Sequence, residues 1–407
     1  MMVNVDKKKK DLYFVISMII FAVFVEIRYF EHSINPQDTT AFAFSYKYGF
    51  ISRGFMGTLL QVLDSVMSRN LLSYKGIYYI SFVATVVLIG LIIYMFYKVL
   101  QKVDDKKRLL PEAIMAFIAI NAFPMYFSRD NFGRLDVYLT IIMIVSILLI
   151  QEEKFEWLLV PLSILAMLIH HGYVFMNVNI VLVLLLYKAA KTEAAQRKKY
   201  LILFALVFIA VSIMFLYFEF FSHLHGEAIY QEIHDTAAAI SEDGQSVNDS
   251  LLKHEILGLD VYDDEYAYRR LNQVEFPKYL VLYSPILVAA LMLIIEIIKN
   301  AKDRFTKMLH VMILLGGVTV LPEMVLKVDY GRYVFALILY YSTILLVLIA
   351  MGDEAVDGAL TTMRTKYKKF VWAIPGLLIY AMIFVPYRAV RISEVVNTIT
   401  FFIYGFH

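Results

Sequence analysis

Cysteine is absent from this chain of 407 residues. That excludes disulfides, thiolate nucleophiles and cysteine-ligated metals. Charge is scarce too: Asp, Glu, Lys and Arg make up 18% of the residues, against 60% hydrophobic. A soluble domain carries more charge, about a quarter of its residues. No Gly-rich loop of the kind that cradles nucleotide phosphates is present, which argues against chemistry on a soluble nucleotide donor. No stretch reads as a soluble domain or a coiled coil. The formal net charge of +2 says little about partners; in so apolar a chain, where the charges lie matters more.

Apolar runs of roughly 18 or more residues recur, and each is a candidate membrane span. About eleven spans are expected, near residues 12–30, 76–97, 110–127, 137–150, 157–169, 173–186, 200–221, 279–298, 308–325, 333–350 and 370–385. This predicts an all-α polytopic membrane protein, a single transmembrane domain over 1–407 with long loops at 31–75 and 222–277. Basic clusters at Lys7 to Lys10, Lys98 to Arg108, Lys188 to Lys199, Lys299 to Lys307 and Arg364 to Lys369 then fall on one side under a single alternation. The positive-inside rule makes that side cytoplasmic, with the N-terminus inside and both long loops outside a plasma (inner) membrane. The first apolar run is too long for a signal-peptide core and no small-residue cleavage site follows it, so it reads as a retained span. Residues 50–69 read as an amphipathic helix, lying on the membrane surface or packed as the core of the first loop. The loop 222–277 reads as a solvated flexible lid whose tract 236–250 buries little; its His223, His225, Glu227 and His234 also admit a metal site.

That topology gathers the unusual polar residues on the outer face: Asp38, Arg53, Arg129, Arg134, Asp136, His170, His171, Asp329 and Arg332. The densest stretch is Ser128-Arg129-Asp130-Asn131-Phe132-Gly133-Arg134-Leu135-Asp136, which runs straight into an apolar segment. Ionisable groups at a membrane boundary are costly and point to function. The plainer alternative is an Arg134 that snorkels and an Asp136 that caps a helix, and His170-His171 also read as helix-end hydrogen-bonding residues. Asn131-Phe132-Gly133-Arg134 is echoed by Asp329-Tyr330-Gly331-Arg332 and, in part, by Ser52-Arg53-Gly54. Arginine forks pair bidentately with phosphate, and a carboxylate can act as general base. Asp136, beside Arg134, reads as an orienting group. Asp38, with no cation closer in sequence than Lys47, reads as the freer base.

The order of these features resembles the GT-C superfamily of polyprenyl-phosphate-dependent glycosyltransferases. Asn35-Pro36-Gln37-Asp38-Thr39-Thr40 is similar to the acidic motif of the first outer loop in that family. Gly133-Arg134-Leu135-Asp136-Val137-Tyr138-Leu139 is similar to its second-loop motif, and Leu168-Ile169-His170-His171-Gly172 stands where such proteins often carry Thr-Lys-Gly. The resemblance covers roughly the first half of the chain. It departs from the pattern in Gln37 before Asp38 in place of paired acids, in histidine for lysine, and in the lack of a large C-terminal soluble domain. What it implies is inverting transfer of a sugar from a polyprenyl-phosphate donor to a glycan or lipid acceptor on the extracytoplasmic face. Asp38, or second Asp136, would be the base. Arg134, His170, His171 and Arg332 would hold the departing phosphate, with Arg53, Arg129 and Asp329 completing the substrate contacts. No cofactor is required, a divalent metal is compatible, and no nucleic acid is involved. A polysaccharide repeat-unit polymerase uses similar chemistry. A transporter or flippase for a lipid-linked substrate would instead show internal repeats, broken helices and midplane charges.

Overall fold

The computed structural model describes residues 2–28, 33–128, 131–222, 226–257, 276–322 and 330–384. Among them every regular element is helical. The first half contains α1 (Met2–Arg28), α2 (Pro36–Ala43), α3 (Gly54–Met67), α4 (Tyr74–Lys102), α5 (Leu109–Phe127), α6 (Asp136–Glu152), α7 (Leu159–Ile169), α8 (Tyr173–Met176) and α9 (Val178–Lys191). Then follow α10 (Ala194–Phe220), α11 (Glu227–Ala239), α12 (Asp249–Leu257), α13 (Phe276–Asn300), α14 (Arg304–Leu315), α15 (Tyr330–Ala350), α16 (Glu354–Lys366) and α17 (Lys368–Phe384).

Five of these are long and apolar enough to cross a membrane: α4, α5, α10, α13 from Val281 and α15 from Gly331. They differ in what surrounds them. On α15, Phe335, Leu339, Tyr340, Ile344 and Val347 are all buried, so this helix forms the centre of the bundle. By contrast α10 leaves Leu206, Phe208, Ile209 and Ile213 exposed. An uninterrupted apolar surface of that kind suits a hydrocarbon environment, and the chain is a helical membrane protein.

Hydropathy places the long helices well but misses how others are broken. The expected span 308–325 stops at Leu315, and a 3-10 turn covers Gly316–Val320. The cause lies on α15. The Tyr340 and Tyr341 hydroxyls donate to the Ile313 and Leu314 carbonyls, the latter at 2.9 Å, ending the helix ladder. They approach because Gly316 and Gly317 have no side chains: a Cβ would lie 2.1 Å from the Tyr340 oxygen at the first and 2.6 Å from the Tyr341 oxygen at the second. The expected span 173–186 is also interrupted, between α8 and α9 at Asn177. The next asparagine, Asn179, donates through Nδ2 to the Gly316 carbonyl at 3.1 Å and to Thr319 Oγ1 at 2.8 Å. The two breaks therefore support each other.

The bundle has two chemically different ends. At one, lysines and acids tie helix termini together: Lys10 to Asp105 at 3.3 Å, Lys98 to Glu152 at 2.9 Å, Lys107 to Asp357 at 2.6 Å and Lys199 to Glu156 at 2.7 Å. Exposed pairs contribute only about 0–1 kcal/mol each. The buried centre of this end is Asp353. It caps α16 by accepting from the Ala355 and Val356 amides, both at 3.0 Å, and it also accepts from the Tyr187 hydroxyl at 2.8 Å. His310 Nε2 lies 3.0 Å from Oδ1, the oxygen that the two amides also face. Burial alone would raise the Asp353 carboxyl, but the His310 ring, the Val356 amide and the Tyr187 hydroxyl outweigh it and hold the group well below the usual carboxylate range.

At the other end α11 and α12 pack on α2. Ile233, Ala237, Ile240, Leu252 and Ile256 are buried there. The tract expected to bury little thus contributes to the main hydrophobic core, and this part of the loop is a helical cap; residues 258–275 lie outside the described residues. The amphipathic helix expected at 50–69 is α3. It buries Met56 and Leu60 but exposes Leu59, Val62 and Val66, so it has an inner apolar face and an outer one.

Because the Asp353 carboxyl is depressed in the folded state, its contribution is present above the ordinary carboxylate pKa of about 4 and is lost as pH falls through the folded value. Asp353→Asn should lower the melting temperature of the detergent-solubilised protein at pH 7, and the gap from wild type should narrow below pH ~4. Fluorescence-detected size exclusion after heating measures both.

Candidate functional site

The first acidic group is positioned by a short, well-anchored helix. Pro36 opens α2 with its φ already near the helical value, and the Thr39 and Thr40 hydroxyls donate back to its carbonyl at 3.1 and 2.7 Å. Phe42, Ala43 and Phe44 are wholly buried beyond it. This fixes Asp38 in the first turn at 6% exposure. The segment that meets it, 131–135, turns through Gly133 at φ +93°. A Cβ at Gly133 would sit 2.8 Å from Ile34 Cγ2, so glycine is required both for the turn and for the approach. The result brings Arg134 Nε to 3.5 Å from Asp38 Oδ1.

Asp136, two residues on, is the first residue of α6. Arg134 lies two residues before the helix, and the two side chains leave this junction for different partners. Asp136 Oδ2 meets Arg332 Nη2, from the start of α15, at 2.7 Å. Beneath the pair, the Thr140 hydroxyl donates to the Asp136 carbonyl at 2.9 Å and lies 2.8 Å from the Tyr126 hydroxyl. The Tyr126 ring stands edge-on to Phe335 at 5.7 Å, joining α5, α6 and α15 below the charges. The four side chains of the two pairs are 7–15% exposed. Sequence proximity pairs Arg134 with Asp136 and leaves Asp38 free; the structure corrects both readings, since the pairs are crossed and Asp38 has a cationic partner.

A second cluster surrounds Arg53. This residue precedes α3 with φ +66°, a left-handed conformation uncommon for a residue with a Cβ. Its Nη2 lies 3.3 Å from His170 Nε2, and its Nη1 lies 3.3 Å from Glu255 Oε1 of α12. His170 follows the last residue of α7, and its Nδ1 faces the Gly172 amide at 3.1 Å. A neutral imidazole has one acceptor nitrogen, so the ring satisfies only one of these two donors. His171 Nδ1 is 2.6 Å from Ser52 Oγ. The Tyr46 hydroxyl reaches the Leu168 carbonyl at 3.5 Å, linking the α2–α3 connection to α7. Burial pushes that hydroxyl up to about 12, which keeps it a donor.

The described residues thus bring Asp38, Arg134, Asp136 and Arg332 into one pair of ion pairs, and Arg53, His170 and His171 into a second cluster at the same end of the bundle. Arg129 and Asp329 lie outside the described residues, as do His223 and His225. No group of three or more His, Cys, Asp or Glu suited to a metal occurs among the described residues. Sequence reasoning missed Glu255 and Ser52. Ser52 had a signal, since it opens the Ser-Arg-Gly echo; Glu255 had none, being one acid in an acidic loop. No protein-family model, curated protein or solved structure matches the chain.

Each crossed pair is a buried charge pair, and removing one partner typically costs about 3–5 kcal/mol by stranding the other. Arg332→Met should therefore lower thermal stability markedly. The double variant Asp136→Asn with Arg332→Met should recover much of that loss, which a double-mutant cycle of melting temperatures measures as a coupling. Additive effects would rule the contact out.

Proposed function

We propose that this protein is a membrane glycosyltransferase of the GT-C type that moves a sugar from a polyprenyl-phosphate donor to a glycan or lipid acceptor. The observation that carries the reading is the set of two buried arginine–carboxylate pairs at one end of an apolar helical bundle. In this mechanism Asp38 accepts the proton of the acceptor hydroxyl as that oxygen attacks the anomeric carbon from the face opposite the phosphate. The bond from the anomeric carbon to the phosphate oxygen breaks with its electron pair, leaving polyprenyl phosphate and an inverted centre. Arg134 and Arg332 face the developing negative charge, where fixed donors are most effective. Asp136 orients Arg332. Support for a lipid-linked donor comes from a cavity of about 380 Å³ lined by apolar side chains of α5, α13, α15 and α17, among them Phe117, Ile286, Val334 and Leu378. Val334, two residues beyond Arg332 in sequence, lines it, and the cavity runs along the bundle to Leu110 and Met363, offering a seat for an apolar chain.

The proposal includes the finer topology: about eleven crossings of a plasma membrane, the lysine-rich end in the cytoplasm and the site outside. Because the chain lacks cysteine, single cysteines report orientation directly. Glu242→Cys should react with an impermeant thiol reagent in intact cells, and Lys302→Cys should not; the reverse pattern overturns the orientation.

One observation favours a second reading. The interruptions at Asn177 and Gly316 touch each other, and paired discontinuous helices are a feature of transporters. A lipid-linked-substrate flippase would move labelled substrate across proteoliposomes without changing it. A transferase yields a glycosylated product detectable by mass spectrometry.

Within the transferase reading, Asp38→Asn should cut turnover by about 10²–10⁴, as loss of a general base does, with donor affinity largely kept. Arg134→Gln should chiefly weaken donor binding. Near-normal turnover in Asp38→Asn places the base elsewhere.

A further inference from the structure

The α11–α12 cap carries one buried carboxylate to the site end, and that carboxylate rests on Arg53. Glu255 is 8% exposed, and the Arg53 side chain 16%. Their contact at 3.3 Å is single and longer than the roughly 2.7–2.9 Å of a charge-assisted hydrogen bond. The other contact of the fork, to His170 at 3.3 Å, is equally long and competes with the Gly172 amide for the ring. Arg53 itself is held in a left-handed conformation, and residues so strained cluster at ligand clamps and switches. A five-donor fork with two long contacts, facing inward beside two histidines, is poorly matched to one carboxylate oxygen. A phosphate, with three acceptor oxygens and bidentate geometry, matches it better.

The cap rests on α2 through the buried Ile233, Ala237, Leu252 and Ile256, and its other polar ties are few. The Asn248 amide donates to Thr40 Oγ1 at 3.0 Å, beside Asp38 on α2. Lys47 meets Glu232 at 2.8 Å, but both side chains are about half exposed, so that pair adds little. Glu255 is thus the charged tether that reaches the interior.

We propose that Glu255 is an internal stand-in for the donor phosphate, filling the seat formed by Arg53 and His170 when no donor is bound. This rests on the transferase reading above for the identity of the ligand. Donor phosphate displaces Glu255, α12 is released from Arg53, and Asp38 on the neighbouring α2 becomes open to the acceptor. Donor therefore binds before acceptor.

The test uses the full-length protein in nanodiscs and polyprenyl monophosphate as the probe, with no sugar present. Backbone hydrogen exchange of 249–257 should rise when the lipid is added to wild type. Glu255→Gln should show the raised exchange without lipid and should bind the lipid about fivefold or more tightly, the scale of a typical coupling between sites. Glu255→Asp, which keeps the charge on a shorter arm, should fall between them and serves if the glutamine variant is unstable. Arg53→Gln should abolish the lipid-induced change. Inorganic phosphate at matched concentration should act weakly; an equal effect overturns a lipid-linked source. Unchanged or weaker lipid binding by Glu255→Gln, with exchange insensitive to lipid, makes Glu255 a structural tether and overturns the proposal. These readouts need no catalysis. If they appear as expected and no sugar is ever transferred, the seat stands and the transferase reading falls. If transfer is observed but Glu255→Gln binds lipid like wild type, the reverse holds.

Discussion

Four ionised side chains buried at the end of an apolar bundle must neutralise one another, and the arrangement of this end follows from that requirement. An isolated carboxylate or guanidinium in low dielectric is prohibitively unstable. Asp38 and Asp136 therefore each need a cation, and both cations arrive on different elements from the acids they meet. The demand fixes the rest locally. Gly133 must turn with a positive φ and no side chain to let Arg134 reach α2. The start of α15 must sit against the start of α6 to deliver Arg332. Tyr126, Thr140 and Phe335 fill the space directly below.

The opposite end solves a different problem. There many lysines and acids are half exposed, and water shares their solvation, so their pairs need little precision. Its enclosed charges are held as specifically as those of the site: Arg108 meets Asp11 at 2.6 Å, and Asp353 has two amides, a tyrosine and a histidine arranged around it.

How much of this was legible beforehand depends on range. Asp38, Arg53, Arg134, Asp136, His170, His171 and Arg332 stood out because ionisable groups bordering apolar runs are conspicuous. Their pairing was not legible, because Arg134 has an acid two residues away and the one it meets is nearly a hundred residues back. The long helices were visible from composition alone. The break at Gly316 was not, since its cause is a pair of tyrosines on another helix. The cap helices did leave a trace: Ile233 with Ala237, and Leu252 with Ile256, recur at helical spacing inside otherwise polar sequence. Overall polarity masked it.

The crossing of the ion pairs also sets an order of events during synthesis. Asp38 and Arg134 are both present once the first third of the chain has emerged. Asp136 must wait for Arg332, which lies 196 residues later. At about 5–20 residues per second that interval lasts roughly 10–40 seconds. Through it, the start of α6 holds a carboxylate whose eventual partner does not yet exist, and only water or headgroups at the bilayer surface can stabilise it. The early half can settle around its own pair, whereas the site as a whole closes when α15 inserts. A nascent chain halted before that helix would expose an acidic notch, a distinctive mark by which quality-control factors could tell an unfinished molecule from a finished one.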